Sequence, residues 1–234
     1  MNEHDDDKVG RRSLMAGVGI AVAAGLVAGA TTAQAQTGRR RGAARFEPAR
    51  HKLDAWFDEL PGHHRVFIDS ATAEGGAFTL GYAFNLRNAS ATAYANEPSD
   101  LAIVICFRHA STPFGYGDAL WAKYGQYFNE MMKYPDPATG AAPKINLMNS
   151  TAHKNLGNRG ETIDAQIAKG TRFAICNTAT QGIAGMIAGR TGGKANEIHD
   201  ELVAGAIKNS HFVPAGVLGL TRAQEYGYSV LIAG

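Results

Sequence analysis

The stretch LAIVICF, from Leu101 to Phe107, decides the fold class predicted for this chain. Seven consecutive apolar residues are typical of a strand that is buried on both faces of a parallel sheet. A shorter run of the same kind lies upstream at Arg65–Asp69. Between the two runs, Phe78–Tyr94 has apolar residues at helical spacing. This order of strand, helix and strand predicts a crossover between two parallel strands.

The same alternation continues downstream. Strands are predicted at Thr171–Cys176 and Tyr228–Ile232, with a short extended piece at His211–Pro214. Helices are predicted at Leu53–Leu60, Tyr116–Met132, Glu161–Lys169, Thr180–Ala188, Asn196–Lys208 and Leu218–Tyr226. The pattern indicates an α/β three-layer sandwich with a mostly parallel sheet, which we place at residues 51–234. Pro135–Gly160 has no clear period, and we expect a long functional loop there.

Length, composition and charge limit the classes of protein to which this chain can belong. The chain has 234 residues, of which 45% are hydrophobic, and this is enough for one good-sized core. Its 23 basic and 21 acidic residues give a formal charge of +2. Binding to nucleic-acid phosphates requires a concentrated basic surface, so this balance argues against a nucleic-acid partner.

The first 35 residues resemble a twin-arginine export signal. Arg11 and Arg12 are followed by an uncharged run that closes with the small-residue cleavage site Ala33-Gln34-Ala35. We expect cleavage near Ala35 after passage through the twin-arginine translocon, and a periplasmic product. The alternative is an uncleaved membrane anchor. Residues 36–50, with five arginines, are expected to be a solvated tether.

Candidate site residues lie where the predicted strands end, because parallel sheets bind ligands at the carboxyl ends of their strands. These residues are Asp69-Ser70, Arg108-His109 and Cys176-Asn177-Thr178. A helix is expected to start just after Cys176, and its N–H groups and dipole favour a thiolate there. Alternatively, Cys176 is a small buried hydrophobe.

The remaining cysteine and the histidines allow alternative interpretations of the site. Cys106 lies inside an apolar run and is expected to be a buried core thiol, although a disulfide with Cys176 is the alternative. A metal site that uses Cys176, His109, His153 or His211 is a further alternative, but no ligand spacing specifies it. Gly189–Lys194 departs from the phosphate-loop pattern and is interpreted as a helix–helix connection.

Aromatic residues are concentrated near one predicted helix. They are Phe114, Tyr116, Trp121, Tyr124, Tyr127 and Phe128, and most of them fall on one helical face. Such a face exposes more apolar surface than a lone subunit is expected to tolerate. We therefore predict a homo-oligomer.

Two sequence blocks resemble the DsrE/DsrF-like family. Gly170–Thr178 is similar to the family's cysteine-bearing strand and turn, and Val213–Val217 with Arg222–Tyr228 is similar to its Val-Pro-Ser-Gly-Val and closing Gln-Glu-x-Gly-Tyr segments. The resemblance implies a flavodoxin-like subunit, often trimeric or hexameric, with a persulfide-carrying cysteine. The export signal, the long 135–160 insert and His109-Ala110 in place of His-Gly are departures from the family.

These observations predict an exported sulfur-handling protein, with a small sulfur compound or another small molecule as its ligand. Cys176 is the expected reactive thiol, His109 and Asp69 are its neighbours, and Ser70, Asn177 and Thr178 line the rim. The alternatives are a periplasmic ligand-binding or assembly module and a metal-binding protein. No cofactor is specified by any motif in the sequence.

Overall fold

The computed structural model describes residues 47–95, 97, 100–151 and 156–234. Glu47–Gly234 forms one compact unit. The predicted signal with Arg11 and Arg12, residues 36–46 of the predicted tether, and His153 lie outside the described residues. Within the described ranges, no helix is both long and apolar enough to cross a bilayer.

Five strands and six helices make up the described part of the chain. The strands are β1 His64–Ser70, β2 Leu101–Phe107, β3 Arg172–Cys176, β4 Ser210–Val213 and β5 Ser229–Ala233. The α-helices are α1 Ala73–Tyr94, α2 Asp118–Met132, α3 Ile163–Ala168, α4 Asn177–Thr191, α5 Ala195–Ala204 and α6 Gly216–Glu225. Three further segments are 3-10 helices, at Lys52–Phe57, His109–Gly115 and Leu147–Asn149.

All strand pairs in the sheet are parallel, in the order β4-β3-β2-β1-β5. The chain moves in one direction from β1 to β4 and then returns to place β5 on the free side of β1. Right-handed crossovers put the helices of the outward path on one face and α6 on the other. Separate hydrophobic clusters on the two faces agree with this arrangement. The predicted α/β three-layer fold is therefore confirmed.

Helix boundaries differ from the predicted ones by a few residues, most of all at α1. This helix begins at Ala73, five residues before the predicted start, and the Thr72 hydroxyl caps it by accepting the Gly75 N–H at 2.9 Å. Gly75 and Gly76 hide the helical pattern in the sequence. A Cβ at Gly75 would lie 1.9 Å from the Ala233 carbonyl oxygen, so close packing requires glycine there.

The first predicted helix, Leu53–Leu60, is a 3-10 helix over Lys52–Phe57 instead. It covers the α6 face of the sheet through Phe57, which is fully buried. The phosphate-loop-like segment Gly189–Lys194 contains the end of α4 and the three-residue connection from α4 to α5, which agrees with the predicted helix–helix connection.

The described parts of Pro135–Gly160 close the hydrophobic core. The Asn146 side-chain amide donates to the carbonyls of Phe114 and Tyr116 at 2.8 and 2.9 Å. Leu147 and Met148 are fully buried beside it. The described residues of this stretch therefore have a packing role. Residues 152–155 lie outside the described part of the chain.

The aromatic residues of α2 are covered within the single chain. Trp121, Tyr124 and Phe128 are all buried, and Trp121 donates its indole N–H to the Pro113 carbonyl at 3.1 Å. The exposed aromatic face on which we based the prediction of a homo-oligomer is therefore absent from α2. Periodicity identified the apolar face of this helix but not the elements that cover it.

Candidate functional site at the carboxyl edge of the sheet

Asp69, Cys106 and Cys176 lie on the α6 face of the sheet near its carboxyl edge. Successive strand residues point to opposite faces, and Cys106 belongs to the cluster that packs on this face. Asp69 is paired with Cys106 in the β1–β2 register. Cys176 is two residues beyond Ala174, the partner of Cys106 on β3. The predicted carboxylate and thiol therefore share one face of the sheet.

The Asp69 carboxylate forms a bidentate ion pair with Arg108. The Arg108 Nε lies 2.9 and 3.0 Å from the two carboxylate oxygens, and Nη2 donates to Oδ2 at 2.8 Å. Asp69 is fully buried, whereas 25% of the Arg108 side chain is exposed. The hydrogen bond with Asp69 raises the pKa of Arg108. The pair therefore fixes a permanently charged guanidinium at the rim.

The start of α6 lies directly against Arg108. A Cβ added at Gly216 would be 2.6 Å from the Arg108 Cβ, so only glycine permits this approach. Asp69 thus holds the guanidinium of Arg108, and Gly216 covers the aliphatic part of the same side chain. Arg108 was predicted to lie at this edge, but the functional role was assigned to its neighbour His109, although a charged residue directly after a buried strand was a usable signal.

Cys176 is itself the N-cap of α4. Its Sγ accepts the Ala179 backbone N–H at 3.4 Å, and α4 begins at Asn177, earlier than predicted. The residue is 7% exposed. A helix N-terminus presents unpaired N–H groups and a partial positive charge, which favour negative charge on a capping atom. The sulfur therefore lies at the positive end of the α4 dipole.

Cys106 is an enclosed thiol, as the sequence predicted. Burial raises its pKa well above the ordinary value, the negative charges of Asp69 and Cys176 add to the increase, and Arg108 opposes it. Both cysteines are free. An offset of two residues on adjacent strands separates their Cα atoms by about 8 Å. This exceeds the span of an unstrained disulfide.

The predicted rim residues make structural contacts. The buried Ser70 hydroxyl donates to the Cys106 carbonyl at 2.8 Å. The Asn177 Oδ1 lies 2.8 Å from the His199 Nε2, which links α4 to α5. The Thr178 hydroxyl donates to the Pro214 carbonyl at 2.9 Å. Ser70 therefore joins the ends of β1 and β2, and Asn177 and Thr178 join the start of α4 to the neighbouring segments.

His109 is exposed and adopts a left-handed backbone conformation with φ of 52°. It starts the 3-10 helix His109–Gly115, and this turn separates it from the extended path of β2. The residue before it, Arg108, is the one that pairs with Asp69. The structure therefore brings Asp69 and Arg108 together and leaves His109 at the surface.

Residues capable of metal binding are dispersed. Within the residues the structure describes, no three His, Cys, Asp or Glu side chains come together in a way that could hold a metal ion. Among the predicted candidates, His211 stacks on Trp56, with ring centroids 4.7 Å apart.

The His211 contact makes stability depend on pH. Burial lowers the pKa of His211, against the opposing charges of Asp54 and Glu59. The unfolded chain therefore takes up a proton near pH 6.5, at a higher pH than the native state does. We expect the free energy of unfolding to fall between pH 7.5 and pH 5. The contribution is below about 1 kcal/mol because the ring is only half-buried.

Urea denaturation across this pH range checks the expectation. The His211→Gln variant should lose part of the slope, whereas the exposed-site control His63→Gln should keep it. Equal slopes in the native chain and in His211→Gln would show that the Trp56 contact does not control protonation.

Comparison with known proteins identifies no family. No family model matches the chain, and no curated protein matches it. One solved structure is similar in part, that of a protein of unknown function, MTH1491, from Methanobacterium thermoautotrophicum. It is 12% identical, the match covers 73% of this chain and 99% of that chain, and the TM-score is 0.36. The resemblance to the DsrE/DsrF-like family therefore stays a prediction from the two sequence blocks.

Proposed function

We propose that this protein carries sulfane sulfur as a persulfide on Cys176. The observation that supports the proposal is the position of Sγ, which accepts the Ala179 N–H at the start of α4. The sulfur also interacts electrostatically with the Arg108 guanidinium, whose charge is balanced by the Asp69 carboxylate. The thiolate form of a cysteine sulfur is the nucleophile in sulfur exchange.

The proposed transfer needs no external oxidant or reductant. The Cys176 thiolate attacks the outer sulfur of a donor R–S–SH, and a new S–S bond forms. The donor's own S–S bond breaks, and its electron pair leaves with R–S⁻. The product is Cys176–S–SH, which then loses its outer sulfur to an acceptor thiolate in the same kind of step. The Ala179 N–H can stabilise the charge on the Cys176 sulfur before the first step and after the second, when that sulfur is a thiolate.

The two cysteines provide a matched test. We expect Cys176→Ser to reduce sulfur uptake from inorganic polysulfide by at least about 100-fold, because the nucleophile is removed. Serine is a preferred N-cap residue, so α4 should remain capped and the fold intact. Intact mass spectrometry would detect the addition of one sulfur atom, and cyanide treatment would remove it.

The control variant is Cys106→Ser, which should keep uptake within about threefold of the native rate because the enclosed thiol is a poor nucleophile. Uptake by Cys176→Ser that equals that of the native chain would refute the carrier function. Resistance of Cys176 to alkylation in the folded protein would also refute it.

The proposed location of this chemistry is the periplasm. This part of the proposal is supported only by the twin-arginine signal predicted at Arg11 and Arg12 and by the small-residue site at Ala33–Ala35.

A further inference from the structure

The outer face of α1 has almost no charge. The helix has 22 residues, and Glu74 and Arg87 are its only charged ones. Arg87 is buried. Phe78, Tyr82, Asn85, Ala89 and Ala93 are all exposed and follow one another at helical spacing along one stripe. A helix that faces water normally has charged residues on that side, so this stripe is suited to a protein contact.

An apolar groove adjoins the stripe. It lies between the second half of α1 and the starts of β1 and β2, and its volume is about 630 Å³. Its lining includes Tyr82, Leu86, Tyr94, Leu101 and Leu231. Leu231 belongs to β5, so the groove is continuous with the edge of the sheet.

The edge strand β5 has one open side among the described residues. In the described part of the chain it pairs only with β1, so the backbone groups on its other side have no strand partner. Ser229–Ala233 contains no charged residue and no proline, and Ile232 is 58% exposed. Natural edge strands usually contain charged residues or proline, because an edge without them accepts another strand.

We propose that a second copy of this chain covers the β5 edge together with the α1 stripe and groove, which we call the β5–α1 surface. The two β5 strands would pair antiparallel about a twofold axis perpendicular to the sheet. Such an axis keeps equivalent faces on the same side, so the two α1 helices lie next to each other and close the groove.

The absence of charge identifies the partner as another copy. In a twofold interface each residue near the axis faces its own equivalent, so any charged residue there would meet a like charge. The stripe and β5 contain none, and the charged or titratable residues that border them are Arg159, beside Phe78 and Tyr82, and His64 in the groove. A partner with a different sequence would not require this surface to be uncharged. Interfaces between different proteins commonly pair opposite charges at their rims.

The size of the surface is consistent with a reversible dimer. A helix of 22 residues is about 33 Å long. Together with the groove and the strand edge, a surface of this length is compatible with the roughly 800 Å² per protomer that is typical of specific interfaces. We therefore expect a dissociation constant in the micromolar range. This proposal does not depend on the chemistry of Cys176.

Light scattering on the full chain tests the dimer between about 1 and 100 μM. At the upper end we expect twice the chain mass of 24.8 kDa, and hydrogen exchange should be slow throughout Ser229–Ala233. Ala89→Arg in the groove and Ile232→Lys on the edge should each weaken dimerisation at least tenfold. The control Leu53→Lys, at a residue that is 72% exposed, should leave it unchanged.

Three results would overturn the proposal. One is a monomer at every concentration with fast exchange in β5. The second is a monomer with slow exchange in β5, which would mean that another segment of the same chain covers the edge. The third is an oligomer whose mass is unaffected by both Ala89→Arg and Ile232→Lys when circular dichroism shows that they are folded, because its interface must then lie elsewhere.

Discussion

Replacing Asp69 with alanine is expected to lower the free energy of unfolding by about 3 kcal/mol. Removal of one partner of a buried ion pair leaves the other charge unpaired, which typically costs about 3–5 kcal/mol. The lower value applies because a quarter of the Arg108 side chain reaches water. The midpoint of urea denaturation at neutral pH, measured with the slope, gives this loss.

Asp58 supplies the control for this variant. Its carboxylate accepts from Arg65 at 2.9 Å, but the Asp58 side chain is exposed. Exposed pairs contribute little, so Asp58→Ala should change the free energy of unfolding by no more than about 1 kcal/mol. If Asp69→Ala costs as little as Asp58→Ala, the buried pair does not fix the rim as we infer, and the position of Arg108 must have another cause.

Gly75→Ala is expected to be at least as destabilising, at about 3 kcal/mol. The new Cβ would lie 1.9 Å from the Ala233 carbonyl oxygen, far closer than van der Waals contact. Because the obstacle is backbone rather than a flexible side chain, either α1 or the end of β5 must move. Thermal or urea denaturation would measure the loss, and faster hydrogen exchange in β5 would locate it.

Gly185→Ala is the matched control, because it makes the same change inside another helix. Nothing lies within 4 Å of a Cβ at Gly185 in α4. Alanine has the higher helix propensity, so this variant should gain about 0.5–1 kcal/mol. A loss at Gly185 of the size expected at Gly75 would mean that helix distortion, and not the contact with Ala233, explains the effect.

Strands buried on both faces could be predicted closely. The predicted Leu101–Phe107 coincides with β2, because burial on both faces makes every position apolar. The start of α1 could not be predicted, because close approach to Ala233 requires glycines, which are poor helix formers. The segments that bury the aromatic residues of α2 were also not predicted, since they are distant from α2 in sequence.

The sequence was sufficient to predict that the candidate site lies at the carboxyl edge of the sheet. Asp69 and Cys176 lie there because they end buried parallel strands. The choice between Arg108 and His109 depended on the backbone just after β2. Arg108 stays extended, with φ of −132° and ψ of 162°, and so keeps the alternation that puts it on the same face as Cys106. His109 breaks this alternation by its positive φ, which the sequence pattern does not reveal.

The position of β1 between β2 and β5 has a consequence for synthesis on the ribosome. Val66 is opposite Ser229, so one edge of the first strand is completed only by residues made more than 160 positions later. A nascent chain that has not reached Ser229 exposes this edge to every neighbouring polypeptide. The complete native sheet therefore forms only after translation has passed β5, and before then one edge of β1 has no strand to pair with.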